Sequence, residues 1–124
     1  MPATAHELVP FAHVADVERS IRFYSLLGFV AENTLTDNTG RVFWTWMQSD
    51  EASLMLAYTE SPIVPEHQAV LFYLYTKDVA GLRQHLLENG VEVSEINHPP
   101  HMEAGEIECA DPDGYTLLIG EMAS

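Results

Sequence analysis

The sequence predicts an α+β fold made of two tandem modules, each reading strand–helix–strand–strand–strand. The first observation behind this is an internal echo at half the chain length. Asp16-Val17 recurs as Asp78-Val79, and Gly28-Phe29-Val30 as Gly90-Val91-Glu92, at one common offset of 62 residues. The second is that each copy holds one segment of helical periodicity between those landmarks. The third is that short segments rich in branched and aromatic residues, bounded by turn signals, flank both helices.

In the first module the strand Leu8–Val14 leads to Asp16, an N-cap residue. Val17, Ile21, Tyr24 and Leu27 then recur at helical spacing until Gly28 stops the helix. Strands follow at Phe29–Thr36, Arg41–Gln48 and Ser53–Tyr58, with turns at Asp37-Asn38-Thr39-Gly40 and Ser49-Asp50-Glu51. The second module opens with Val70–Tyr75, then a helix capped by Asp78, carrying Val79, Leu82, Leu86 and Leu87, and ended by Asn89-Gly90. Its further strands are Val91–Ile96, Gly105–Ala110 and Tyr115–Glu121, with a loop at Asn97–Glu103 and a turn at Asp111-Pro112-Asp113-Gly114. The expected organisation is one domain over residues 1–124: module one 7–59, a linker 60–67 with Pro62 and Pro65, and module two 68–122.

Composition narrows the function. Lys and Arg number 5 against 19 Asp and Glu, a formal charge of −14. A nucleic-acid binder needs a basic face to displace phosphate counterions, so that class is disfavoured, as is docking on anionic membranes. The single cysteine, Cys109, excludes an internal disulfide and a multi-Cys zinc site. No apolar run approaches the ~20 residues of a membrane span, and MPATAHELVP carries no basic-then-apolar signal, so a soluble, cytoplasmic protein is expected.

Several strings together resemble the vicinal-oxygen-chelate superfamily: glyoxalase I, extradiol dioxygenases, and bleomycin- and fosfomycin-resistance proteins. They are Val14-Ala15-Asp16-Val17-Glu18-Arg19-Ser20-Ile21-Arg22-Phe23-Tyr24, the stop Leu27-Gly28-Phe29, and the late turn Asp111-Pro112-Asp113-Gly114-Tyr115. The resemblance covers nearly the whole chain. It implies two βαβββ modules whose mixed sheet curls into a half-open barrel, with helices on the convex face and a ligand on the concave one.

Metal-dependent members of that superfamily draw ligands from the first and last strands of each module. Carried over along the landmarks, those four positions are Val9, Met55, Leu71 and Leu118, all apolar. A divalent ion needs at least three nitrogen or oxygen donors, so no metal and no other cofactor is expected. His13 lies four residues from Val9, about 13 Å along a strand at ~3.3 Å per residue. It reaches the mouth of the barrel but not a ligand position. His98 and His101 flank Pro99-Pro100, which disfavours helical pairing, and the 6 histidines read best as surface or lightly packed side chains.

If the four matched positions face the cavity, strand alternation assigns the rest. Val9, Phe11 and His13 point in from the first strand, with Leu8, Pro10, Ala12 and Val14 toward the helix. Leu71, Tyr73 and Tyr75 point in from the fifth, leaving Val70, Phe72 and Leu74 as core. Ser53, Met55 and Ala57 come from the fourth strand, and Thr116 and Leu118 from the last. Trp44 and Trp46 share a face of the third strand, either a stacking wall or core under a helix. On the seventh strand Ile107 and Cys109 read as core and Glu106 and Glu108 as facing the cavity, where carboxylates beside rings can hold a cation. For Glu106, near the strand start, simple solvation is the favoured reading.

The candidate ligand-binding set is therefore Phe11, His13, Trp44, Trp46, Met55, Tyr73, Tyr75, Glu106, Glu108 and Leu118. Two functions compete. One is metal-independent sequestration of a flat, neutral-to-cationic small molecule by a homodimer, resembling the bleomycin-resistance branch and its role in antibiotic resistance. The other is a glyoxalase-like lyase, epimerase or dioxygenase with a non-standard site. Buried without a basic neighbour, Cys109 stays a thiol and is no nucleophile.

Overall fold

The computed structural model describes residues 3–123. The chain divides between Pro62 and Ile63 into two compact units. The first holds β1 (Phe11–Val14), α1 (Val17–Ser25), β2 (Val30–Thr36), β3 (Val42–Ser49) and β4 (Ala52–Tyr58). The second holds a single 3-10 turn, Pro65–His67, then β5 (Phe72–Thr76), α2 (Val79–Glu88), β6 (Glu106–Ala110) and β7 (Thr116–Glu121). The fold is α+β with two βαβββ-like modules.

The repeat extends to the helix ends. Asp16 accepts a hydrogen bond from the Arg19 N–H at 3.1 Å, and Asp78 accepts one from the Gly81 N–H at 3.0 Å. Past the C-terminus, the Phe29 N–H reaches the Tyr24 carbonyl at 3.2 Å and the Val91 N–H reaches Leu86 at 3.0 Å. Both closures need a left-handed residue just before them, and Gly28 and Gly90 supply it at φ 91° and 81°.

In the first unit the sheet runs β1-β4-β3-β2, with β1 parallel to β4 and the other pairs antiparallel. One face lies under α1. Ala12, Val14, Met47, Leu54 and Leu56 are buried there against Val17, Phe23, Tyr24 and Phe29. Each fully buried side chain of this size contributes about 1.5–3 kcal/mol of hydrophobic stabilisation. Thr45 sits among them, its hydroxyl satisfied by the Asn33 carbonyl at 2.9 Å, where a register shift in β2 turns that oxygen inward.

In the second unit the sheet runs β5-β7-β6, with β5 parallel and β6 antiparallel to the central β7. Ile107, Cys109, Leu117 and Ile119 are buried on the α2 side with Val79 and Leu86. The turn at Asp111–Gly114 is held by the Asp111 carboxylate, which accepts from the N–H groups of Asp113 and Tyr115 at 2.9 and 3.0 Å.

Three expectations need correction. Val91–Ile96 is not a ladder strand: it runs beside β6 with backbone bonds from Ser94 to Glu108 and between Asn97 and Glu106. The Ser94 hydroxyl accepts from the Glu108 N–H at 2.9 Å, and the Ser94 carbonyl accepts from Arg83 at 2.8 Å, so side chains replace the regular ladder. Leu8 is 93% exposed, not core, because β1 begins only at Phe11, after Pro10, which has no N–H to give a ladder. Val70 is 73% exposed for a similar reason: β5 starts at Phe72.

Candidate functional site

Each unit presents one sheet face away from its helix, and the expected site residues divide between those two faces. In the first unit Phe11, Met55 and Trp46 lie side by side across β1, β4 and β3, and His13, Ala57 and Trp44 form the next row. Met47 and Thr45 are buried on the α1 side, whereas Trp44 and Trp46 remain half-exposed. Alternation therefore puts both tryptophans on the open face. Ala57, the smallest side chain in its row, separates His13 from Trp44. Phe11 and His13 meet edge to face at 5.5 Å.

Trp46 is fixed by its polar edge. Its indole N–H donates to the Gln48 side-chain oxygen at 3.0 Å, and the Ser53 hydroxyl donates to the same oxygen at 2.8 Å. The Gln48 amide in turn donates to the Asp50 carbonyl at 2.8 Å. An indole held this way keeps a large flat surface in place at little entropic cost on binding. The sequence signal for this anchor is the spacing of Gln48 two residues after Trp46, which puts both on one strand face.

In the second unit Tyr73, Tyr75, Glu106, Glu108 and Leu118 share the open face of β5-β7-β6. Tyr73 stands beside Leu118 in the parallel register, and its ring lies 5.2 Å from that of Tyr75. The Tyr73 hydroxyl crosses the central strand and donates to Glu106 Oε2 at 2.6 Å. The same oxygen bonds His101 Nε2 at 2.7 Å. Glu106 is buried, which overturns the solvated reading of it, while Glu108 is exposed.

The sequence reads His101 as a surface histidine, and the structure gives it a specific partner, Glu106. Asn97 and Glu106 exchange both backbone hydrogen bonds, closing a loop whose inner turn runs from the Pro99 carbonyl to the Met102 N–H at 2.9 Å. That closure brings His101 back over Glu106. His98 turns instead to the Glu103 carbonyl at 2.8 Å, so the two histidines flanking the prolines do not converge. The pairing of positions 97 and 106 decides the contact, and no local spacing rule reveals it.

Burial pushes the Tyr73 hydroxyl up to about 12, and the hydrogen bond to an anionic Glu106 adds to the rise. Burial also works against the Glu106 charge, yet the hydrogen bonds from Tyr73 and His101 outweigh it and hold this carboxyl below the ordinary range. The Cys109 thiol is pushed up to about 11 by burial, helped by Asp111 and Glu108, and is unreactive at neutral pH.

The family-implied metal positions carry no donors that suit a divalent ion. Val9 and Leu71 precede β1 and β5, and Met55 and Leu118 stand beside Phe11 and Tyr73. Among the described residues no three His, Cys, Asp or Glu side chains converge. Hydrocarbon and thioether side chains at all four positions do not fit a hard or borderline cation. No helix among the described residues is long and apolar enough to cross a membrane.

Residues 8–119 match the family model of the Glyoxalase/Bleomycin resistance protein/Dioxygenase superfamily, and the chain belongs to that superfamily. Solved structures agree on the fold. A bleomycin-binding protein complexed with bleomycin superposes with a TM-score of 0.75 at 16% identity, covering 96% of this chain and 100% of the other. TnmS3, an antibiotic binding protein from Streptomyces sp. CB03234, gives 0.73 at 24% identity over 99% and 100% of the two chains. A glyoxalase-related enzyme from Clostridium phytofermentans gives 0.73 at 18% identity over 98% of each. No curated protein matches.

Proposed function

We propose that this protein binds a flat, neutral-to-cationic small molecule on its open aromatic sheet faces without the help of a metal, in the manner of antibiotic-sequestering members of its superfamily. The observation that carries this reading is Trp46, kept off the α1-packed face and pinned by Gln48 and Ser53 beside Phe11 and Met55. A fixed indole in a row of apolar side chains favours stacking of a planar group. The bleomycin-bound and antibiotic-binding relatives of the same fold support the ligand class. The charge of −14 favours cationic over anionic ligands at long range. Sequestration fits a homodimer in the cytoplasm, since the edge strand β2 leaves Val30 and Leu35 exposed for a second chain to cover.

Isothermal titration with bleomycin tests the reading, with tryptophan fluorescence followed in parallel. Saturable binding that quenches the indoles is the expected result. An absence of binding, or binding confined to anionic compounds, overturns it. The second reading, a lyase, epimerase or dioxygenase with a non-standard site, draws on one observation, the Tyr73–Glu106–His101 cluster.

A further inference from the structure

Two donors meet on one oxygen of Glu106, and this fixes the protons. The Tyr73 hydroxyl donates to Oε2 at 2.6 Å, and the carboxyl is ionised at neutral pH, so Oε2 is an acceptor only. His101 Nε2, 2.7 Å from the same oxygen, must therefore carry a proton. In the neutral ring the lone pair is then on Nδ1. The His101 side chain is 58% exposed, and Glu106 only 11%, so the buried carboxylate orients a ring that solvent and ligands can reach. Met102, next in the loop, lies over Gly120 on the central strand, which brings the loop close to the sheet.

We infer that His101 is a general base, its Nδ1 taking a weakly acidic proton from a flat ligand that lies against Tyr73 and Tyr75. Glu106 and Tyr73 are positioning residues: Glu106 selects the tautomer and stabilises the imidazolium that forms, and Tyr73 holds Glu106 in place. The site takes carbon acids and similar planar compounds whose proton leaves without a metal. It shares with the binding reading only the use of these two tyrosines as a stacking surface. Other titratable groups on this sheet face and loop are Tyr75, Glu108, His98 and Glu103, while β7 contributes Thr116, Leu118 and Gly120, none of which titrates.

The test uses 5-nitrobenzisoxazole, a planar probe opened by proton removal alone. His101 takes the ring C–H proton, the electron pair of that bond completes a nitrile, and the N–O bond breaks to leave a coloured phenolate. The imidazolium then returns its proton to water. Turnover by the wild-type chain should be saturable, at least about tenfold above an equal concentration of free imidazole, and should rise with pH, as general-base catalysis requires. His101→Gln should fall to the imidazole level or below, and His85→Gln on α2 should change nothing. Glu106→Gln should move the midpoint of the pH–rate profile to lower pH with KM nearly unchanged, because the imidazolium loses its counter-charge; a merely structural role would not move it.

Wild-type turnover no faster than imidazole, or a fully active His101→Gln variant, overturns the inference. So does a long-range proton–nitrogen spectrum of the wild-type protein showing the proton on Nδ1, a measurement that does not depend on any variant folding. Turnover of the probe alongside failed bleomycin titration rejects the binding reading alone. Bleomycin binding without turnover rejects only the general base.

Discussion

Gly120 leaves room for the Tyr73 hydroxyl: a Cβ at Gly120 would stand 2.8 Å from that oxygen and 2.7 Å from the Met102 methyl. The glycine sits on the central strand directly opposite Glu106, so its bare backbone is the path by which Tyr73 reaches across the sheet.

Gly120→Ala should therefore break the Tyr73–Glu106 hydrogen bond or expel Met102, at a cost of about 1–3 kcal/mol from forced overpacking. Urea denaturation of the alanine variant measures the loss. Combining it with Tyr73→Phe should give less than the sum of the two single losses, since both remove the same contact. Strict additivity would show that Gly120 and Tyr73 are not coupled.

The same contact makes stability depend on pH at both ends. Glu106 titrates lower in the folded chain than in the unfolded one, so its contribution is complete above the unfolded value and is lost as pH falls through the folded one. Tyr73 is raised from 10.0 to about 12, so its contribution is complete below pH 10 and is lost as pH climbs toward 12. The midpoint of urea unfolding, followed against pH, should show both declines. Tyr73→Phe should flatten the alkaline decline, and Glu106→Gln should remove the acid one while shrinking the alkaline one, because burial and the neighbouring Tyr75 then hold Tyr73 up without the Glu106 charge.

What the sequence made legible follows physical range. Helix caps at Asp16 and Asp78 and the stops at Gly28 and Gly90 depend on residues within five positions, and all were readable. Alternation in β3 showed that Trp44 and Trp46 share a face, but which face was settled only by α1 packing on Thr45 and Met47. The region around Val91–Ile96 misled because branched residues fit an extended chain whether or not a ladder forms; Ser94 satisfies the neighbouring backbone with its side chain instead. His101 reads as a surface histidine in the sequence because its contact with Glu106 comes from loop closure between Asn97 and Glu106, a pairing that no periodicity announces.

The protein should purify without stoichiometric divalent metal, and added zinc, nickel, manganese or ferrous iron should leave its thermal midpoint unchanged. The reason is chemical: Val9, Met55, Leu71 and Leu118 offer alkyl groups and one thioether where at least three oxygen or nitrogen donors would be needed. Elemental analysis checks it. About one metal per chain, lost to a chelator together with stability, would sink this expectation and point to a donor set elsewhere.

The final prediction separates stacking from charge in ligand binding. Trp46→Ala removes the anchored indole from the row with Phe11 and Met55, and should weaken bleomycin binding roughly two- to twelvefold, the range expected for one aromatic contact worth about 0.5–1.5 kcal/mol. Gln48→Ala leaves the indole in place but frees its N–H, and should weaken binding less, by letting the ring move. Charge acts differently. Attraction from a surface of net −14 is screened over ~8 Å at physiological ionic strength, so affinity should fall as salt rises. Glu108 is exposed on the open face of the second sheet, and Glu108→Gln should lower the salt dependence while leaving the high-salt affinity nearly unchanged. Trp46→Ala should do the reverse, lowering affinity at every salt concentration by the same factor. Titrations at three ionic strengths with both variants decide the matter: if the two substitutions alter the salt slope equally, stacking and charge are not separable on these faces, and the division of roles drawn for them fails.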